Sequence, residues 1–239
     1  MRYSVLFIVF ATFLLASCKK DNADLSGYAA TVTLVNAIAS YDTEIKMNFT
    51  GKEFVFANAK PLNYYYYDGK YTFGALTFGV PVGDVPLSIA LANDTTKLIF
   101  NQAVSFARGD VYSLFMHGYP DNVSGLLMKD EILLRTDSTT GVRFVNLSPN
   151  SNGFRINISG EPIGSAVDNL PYKGVSDFIS FPAKASNQDY NIEVYDAVTN
   201  ELLTVFYYYD IARLKNITLV IRGLINDSPG LELVRINHY

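Results

Sequence analysis

Ile45-Lys46-Met47-Asn48-Phe49-Thr50-Gly51 and Phe154-Arg155-Ile156-Asn157-Ile158-Ser159-Gly160 both set apolar against polar side chains at every second position. In the first, Ile45, Met47 and Phe49 face one way while Lys46, Asn48 and Thr50 face the other. A period of two marks a strand buried on one face. The second stretch repeats the first, apolar for apolar and polar for polar, so the chain carries an internal duplication as well as a strand.

Other segments extend the repeat. Val32-Thr33-Leu34-Val35-Asn36 matches Val142-Arg143-Phe144-Val145-Asn146, and Tyr112-Ser113-Leu114-Phe115-Met116-His117-Gly118 matches Ile217-Thr218-Leu219-Val220-Ile221-Arg222-Gly223. Gly125-Leu126-Leu127-Met128 pairs with Gly230-Leu231-Glu232-Leu233. A period of roughly 105–110 residues is a whole domain, not a solenoid repeat. Turn signals such as Asp68-Gly69, Ala92-Asn93-Asp94, Arg108-Gly109-Asp110 and Ser228-Pro229-Gly230 separate the apolar runs, and no window holds a helical period. The fold expected is all-β: two tandem immunoglobulin-like antiparallel β-sandwich domains of about seven strands each. We place them at residues 28–134 and 141–239, joined by a polar linker at 135–140.

Composition agrees with a packed protein. The chain of 239 residues is 49% hydrophobic and 14% aromatic, with 17 tyrosines, 16 phenylalanines and no tryptophan. Aromatic and β-branched residues suit pleated, half-buried surfaces. With one cysteine, no internal disulfide can form, and stability must come from apolar burial.

That cysteine, Cys18, closes the run Leu15-Ala16-Ser17-Cys18, which resembles a bacterial lipobox. Arg2 and an apolar stretch from Val5 to Leu15 precede it, the layout of a secretory signal and shorter than the ~20 residues a spanning helix needs. Residues 1–17 are then a cleaved lipoprotein signal peptide, Cys18 the lipidated N-terminus, and residues 18–27 a polar tether. The resemblance implies a Gram-negative envelope protein held in the outer membrane by its lipid and open to the cell surface. The mature chain keeps 18 basic against 23 acidic side chains, a formal charge of −5, which gives nucleic acid no electrostatic footprint. Two tandem domains on a short tether would stand as an outward-reaching stalk, the second farther from the membrane.

Val142-Arg143-Phe144-Val145-Asn146-Leu147-Ser148-Pro149-Asn150 resembles the opening signature of a family of envelope β-sandwich domains, domain of unknown function 4397, whose members often occur as bacterial lipoproteins. Tyr190-Asn191-Ile192-Glu193-Val194-Tyr195, followed by Ile217-Thr218-Leu219-Val220-Ile221, is similar to its second half. The family brings a fold and a location and no catalytic residues. Asn36 and Asn146 are expected to bond loop backbone where their strands end.

Catalytic signatures are sparse. His117 and His238 lie in different repeats with no carboxylate or cysteine at ligand spacing, and His117, opposite Arg222, reads as a solvated strand position. No Gly-Xaa-Ser-Xaa-Gly elbow, phosphate-cradling loop or calcium loop is present. Asp42 with Glu44 reads as a solvated edge. Arg108-Gly109-Asp110 reads as a turn that needs glycine. Neither a metal nor a cofactor is implied.

The tyrosine clusters carry the functional expectation. Tyr64-Tyr65-Tyr66-Tyr67 and Tyr207-Tyr208-Tyr209 are expected on strands, where neighbours point to opposite faces. In the repeat alignment they fall opposite Lys173-Gly174-Val175-Ser176 and roughly Val104-Ser105, so neither belongs to the shared scaffold. Exposed tyrosines can stack on sugars or anchor a protein partner, being apolar and hydrogen-bonding at once. The chain reads as non-enzymatic, binding a glycan or another envelope protein. The alternatives are a structural or assembly component and, third, a hydrolase.

Overall fold

The strands form where the period-two pattern puts them, and some are apolar on both faces. Residues 30–40, 44–64, 74–186 and 189–238 are described in the structure, a computed structural model. Cys18, Asp42, Tyr65, Tyr66 and Tyr67 lie outside the described residues. The first half holds β1 (Ala30–Ile38), β2 (Ile45–Asn48), β3 (Lys60–Leu62), β4 (Ala75–Val80), β5 (Gly83–Leu91), β6 (Asp94–Phe106), β7 (Val111–Tyr119) and β8 (Asn122–Lys129). The second holds β9 (Thr139–Asn146), β10 (Phe154–Ile158), β11 (Val167–Leu170), β12 (Ile179–Pro182), β13 (Asp189–Asp196), β14 (Leu202–Tyr209), β15 (Asn216–Arg222) and β16 (Glu232–His238). Among the described residues the only helical element is a 3₁₀ turn at Phe56–Asn58.

The all-β sandwich class read from the sequence is what the chain adopts, with eight strands per half among the described residues where about seven were expected. The sheets run β4-β1-β7-β8 and β3-β2-β5-β6, then β12-β9-β15-β16 and β11-β10-β13-β14. The halves match strand for strand. Pairing is antiparallel except for β1 with β7 and β9 with β15, which are parallel. Each sandwich encloses its own core: Val32, Leu34, Ile45, Met47, Leu87 and Leu114 in one, Val142, Phe144, Phe154, Ile156, Val194 and Leu219 in the other.

A third core lies between the sandwiches and overturns the stalk. Val35, Ala37 and Phe115 of the first half meet Val145, Leu147, Val220, Val234 and Ile236 of the second. A fully buried side chain of this kind contributes about 1.5–3 kcal/mol, so the seam is a substantial interface. The sheets β4-β1-β7-β8 and β12-β9-β15-β16 therefore pack face to face, and the molecule is four sheets deep. This explains the burial of β7, β9 and β15 along nearly their whole length. A strand covered on both faces reads as a continuous apolar run.

The duplication makes the seam pseudo-symmetric. Asn36 and Asn146 occupy equivalent places and make equivalent bonds. Asn36 Nδ2 donates to Leu62 O (3.3 Å) and Asn146 Nδ2 to Leu170 O (3.0 Å), while their Oδ1 atoms accept from Ile38 N and Ser148 N. Since Leu62 corresponds to Leu170, Tyr64 corresponds to Tyr172, not to Lys173. Nine residues separate Tyr64 from Gly74 where only Lys173 separates Tyr172 from Gly174, so Tyr65, Tyr66 and Tyr67 belong to an insertion in the first half. Gly125 likewise stands opposite Met116 as Leu233 stands opposite Ile221, three residues from its sequence pairing with Gly230.

Candidate functional site

Three places gather polar chemistry: the seam near its top, the seam near its base, and the outer face of the second sandwich. At the top, Arg222 ends β15 with its side chain fully buried. Its guanidinium lies 3.8 Å from the centroid of the Tyr64 ring, donates to Tyr64 O (2.9 Å) and Asn36 O, and pairs with Glu232 at 2.6 Å. The equivalent residue on β7, His117, meets the equivalent tyrosine: His117 Nδ1 lies 2.7 Å from Tyr172 Oη. Loss of solvation, with Lys173 nearby, lowers the His117 pKa to about 4. His117 is therefore buried and neutral, not the solvated strand residue expected. Tyr64, 1% exposed and just past β3, is a seam residue and leaves the candidate binding surface.

At the base, Asp130 of the first half accepts from Arg143 of β9 at 2.5 Å and from Ser113 Oγ at 2.8 Å. Arg143 Nε donates to Thr218 Oγ1 (3.0 Å), which lies 2.7 Å from His238 Nε2, and the Phe178 ring covers the guanidinium at 4.7 Å. Burial, reinforced by Arg143 and opposed by Asp130, lowers the His238 pKa to about 4. Thr218, His238 and Asp130 follow the order of a nucleophile, its base and an orienting acid. The geometry serves no attack, however. Thr218 is fully buried, its oxygen is held by Arg143, and His238 Nδ1 is 3.9 Å from Asp130. A nucleophile must be reachable and hydrogen-bonded to its base. An open cleft of about 510 Å³ beside this network is lined by Met128, Lys129, Leu133, Arg143, Val175 and Phe178. Arg143, its deepest cation, is already committed to Asp130. Sequence reading missed the network because its members stand far apart in the chain at positions that alternation marks as outward.

The outer face of β13 and β14 is different, because its groups meet water. Alternation along β14 turns Tyr208 inward and Tyr207 and Tyr209 outward. Tyr208 is fully buried, with its hydroxyl near Thr140 and accepting from Ala212 N. It too leaves the candidate surface. Its counterpart is Val104, also a core residue. Tyr207 and Tyr209 are 51% and 47% exposed, their ring centroids 6.0 Å apart and the rings inclined at 31°. Tyr207 donates to the Asp189 carboxylate, which raises its phenol pKa and keeps it protonated. Farther along β13, Glu193 accepts from Asn157 Nδ2 (2.8 Å) and Tyr195 Oη (2.9 Å), and hydrogen bonds led by Ser159 lower its pKa. Two open rings thus sit beside the fixed Asp189 carboxylate, with Glu193 farther along the same sheet face.

The remaining sequence candidates are occupied. Glu44 pairs with Lys46 at 2.8 Å, and Asp110 of the Arg108-Gly109-Asp110 turn pairs with Lys129 at 3.0 Å. Among the described residues, no three His, Cys, Asp or Glu side chains are grouped as metal ligands would be.

No family model and no curated protein matches the chain. Solved structures similar to it include a family 26 carbohydrate-binding module from Eubacterium rectale Amy13K in complex with maltoheptaose, at 8% identity over 87% of this chain and 97% of that one, TM-score 0.29. A family 41 carbohydrate-binding module from streptococcal virulence factors, described for alpha-glucan recognition, matches at 8% identity over 83% and 95%, TM-score 0.28. The fimbrial anchor protein Mfa2 from Porphyromonas gingivalis matches at 10% identity over 88% and 97%, TM-score 0.27. Superpositions this loose carry no argument about ligand.

Proposed function

We propose that this is a lipid-anchored, non-enzymatic protein of the Gram-negative envelope that binds a glycan on the outer face of β13 and β14. One observation carries the binding reading: Tyr207 and Tyr209 lie side by side and half exposed, with the Asp189 carboxylate fixed beside them and Glu193 farther along the same face. Aromatic faces take the C–H surface of a sugar and the fixed carboxylates accept from its hydroxyls. The anchor rests on the lipobox-like run ending at Cys18, and the resemblance to domain of unknown function 4397 supports the same location. A second reading, assembly through strand addition, is favoured by β6, which is thirteen residues long and, among the described residues, pairs only with β5.

Affinity electrophoresis through gels carrying soluble polysaccharides tests the binding. The intact protein is expected to be retarded by at least one, and Tyr207→Ala with Tyr209→Ala to weaken binding roughly 10- to 100-fold, as loss of two aromatic contacts implies. Its melting temperature should hardly change, since both rings are exposed. Retardation by no polysaccharide would favour the assembly reading. Palmitate labelling is expected to disappear in Cys18→Ala; labelling that persists would remove the anchor.

A further inference from the structure

The body has two ends, and they differ. One end gathers the start of β1, the β4–β5 and β6–β7 turns, and the exit of β8. Thr31 pairs with Val111, Ala30 with Val80, and Lys129 with Tyr112. Because the sandwiches pack with strands aligned, the same end carries the start of β9, the start of β15 and the 210–215 loop. Three consecutive apolar residues, Ile132-Leu133-Leu134, stand exposed here, and Leu134 at 91% is the most open large hydrophobic among the described residues. Val82 and Leu214 are exposed at the same end.

The strip cannot fold inward. Asp130 N donates to Val111 O (2.8 Å) before it, and Asn216 Nδ2 donates to Leu133 O (2.6 Å) within it. The Arg135 guanidinium behind it is held by Asn216 Oδ1 (2.7 Å), Thr139 Oγ1 (3.1 Å) and Ser180 Oγ (2.8 Å). The clamped backbone keeps the apolar side chains in water, at a cost an isolated protein gains nothing by meeting.

The tether says what covers the strip. Residues 19–29 link Cys18 to Ala30, and extended they reach about 40 Å at most. Ala30 enters β1 at this end, two strands or about 10 Å across the sheet from the exit of β8. We propose that this end is a membrane foot: Ile132, Leu133 and Leu134 seat in the headgroup region of the bilayer that holds the acylated Cys18. The inference rests on the anchor reading above. Exposed apolar side chains at the end the tether enters are what an interfacial lipid contact takes. Docking holds both sandwiches upright beside each other and fixes which flank, that of Tyr207 and Tyr209, is open to the side.

The chain has no tryptophan, so a single one reports its own depth. Leu134→Trp and, at the opposite end on the β13–β14 turn, Val198→Trp are made in the lipidated chain. Each is reconstituted on vesicles of phosphatidylethanolamine and phosphatidylglycerol with and without brominated acyl chains. Co-flotation of protein with vesicles reads the anchor separately. The expected result is flotation of both variants, with a blue-shifted, bromolipid-quenched emission from Leu134→Trp and an unquenched one from Val198→Trp. Flotation with Leu134→Trp unquenched would overturn the foot and leave the anchor standing. A blue shift without quenching would mean that protein covers the strip, which also overturns it. Absence of flotation would overturn anchor and foot together.

Discussion

Asp130→Ala is expected to lower the unfolding free energy by about 3–5 kcal/mol, the cost of leaving a buried guanidinium without its counter-charge. Arg143 is 7% exposed at its side chain and Asp130 1%, at 2.5 Å, so neither charge reaches water when its partner is lost. Ser113 would lose its acceptor as well. The effect belongs to the seam and not to either sandwich, because Asp130 follows β8 while Arg143 lies on β9. Adding Arg143→Met should recover most of the loss, since a packed apolar side chain of similar length removes the charge instead of stranding it. Denaturant midpoints with unchanged slope would read both effects. A loss below about 1 kcal/mol for Asp130→Ala, the range of an exposed pair, would place these groups in water and the seam elsewhere.

Acidification is expected to act on the same seam. His117 and His238 are both held at a pKa of about 4, chiefly by burial, against an ordinary value of 6.5. Between these values the unfolded chain binds more protons than the folded one, so stability falls as pH falls. The contribution is complete above pH 6.5 and is lost progressively toward pH 4, about 3 kcal/mol for each histidine. Protonation would set His117 beside Lys173 and His238 beside Arg143, with only Asp130 to offset the second. Urea unfolding at pH 7.5 and pH 4.5 should show the fall, and His117→Gln with His238→Gln should flatten much of it. An unaltered slope in the double variant would assign the acid sensitivity to carboxylates.

Much of the architecture was legible because alternation is a local property. Ile45, Met47 and Phe49 announce an inward face whatever packs on it, and the repeat of that pattern at Phe154, Ile156 and Ile158 announces a second copy. The side-by-side packing was not read, although its trace is present. Val35, Phe115, Val145 and Val220 are apolar at positions where a one-sided strand would be polar, and they are the residues of the third core. Arg143 and Arg222 hid the signal, since a charge at an outward position reads as solvent exposure unless its partner is visible. Those partners, Asp130 and the carbonyls of Asn36 and Tyr64, stand 13, 186 and 158 residues away.

The tyrosines divide along the same line. Tyr207 and Tyr209 follow from alternation on β14, as does the burial of Tyr208. Tyr64 does not, because its placement depends on where the insertion that follows it begins. A sequence alignment that spreads that insertion over the cluster assigns all four tyrosines to one copy. The structure places the first of them at the seam position equivalent to Tyr172, Tyr64 under the Arg222 guanidinium and Tyr172 bonded through its hydroxyl to His117.

The binding face and the foot both depend on the two sandwiches forming one body, since that fixes which faces are buried and which end meets the tether. Small-angle X-ray scattering of the mature chain tests this most directly. A single body of about 220 residues has a radius of gyration of about 17 Å, whereas two globules of about 100 residues strung end to end exceed about 21 Å. Two sandwiches packed at the seam give the smaller value, unchanged by dilution. The larger one would restore the stalk and remove both the seam and the foot.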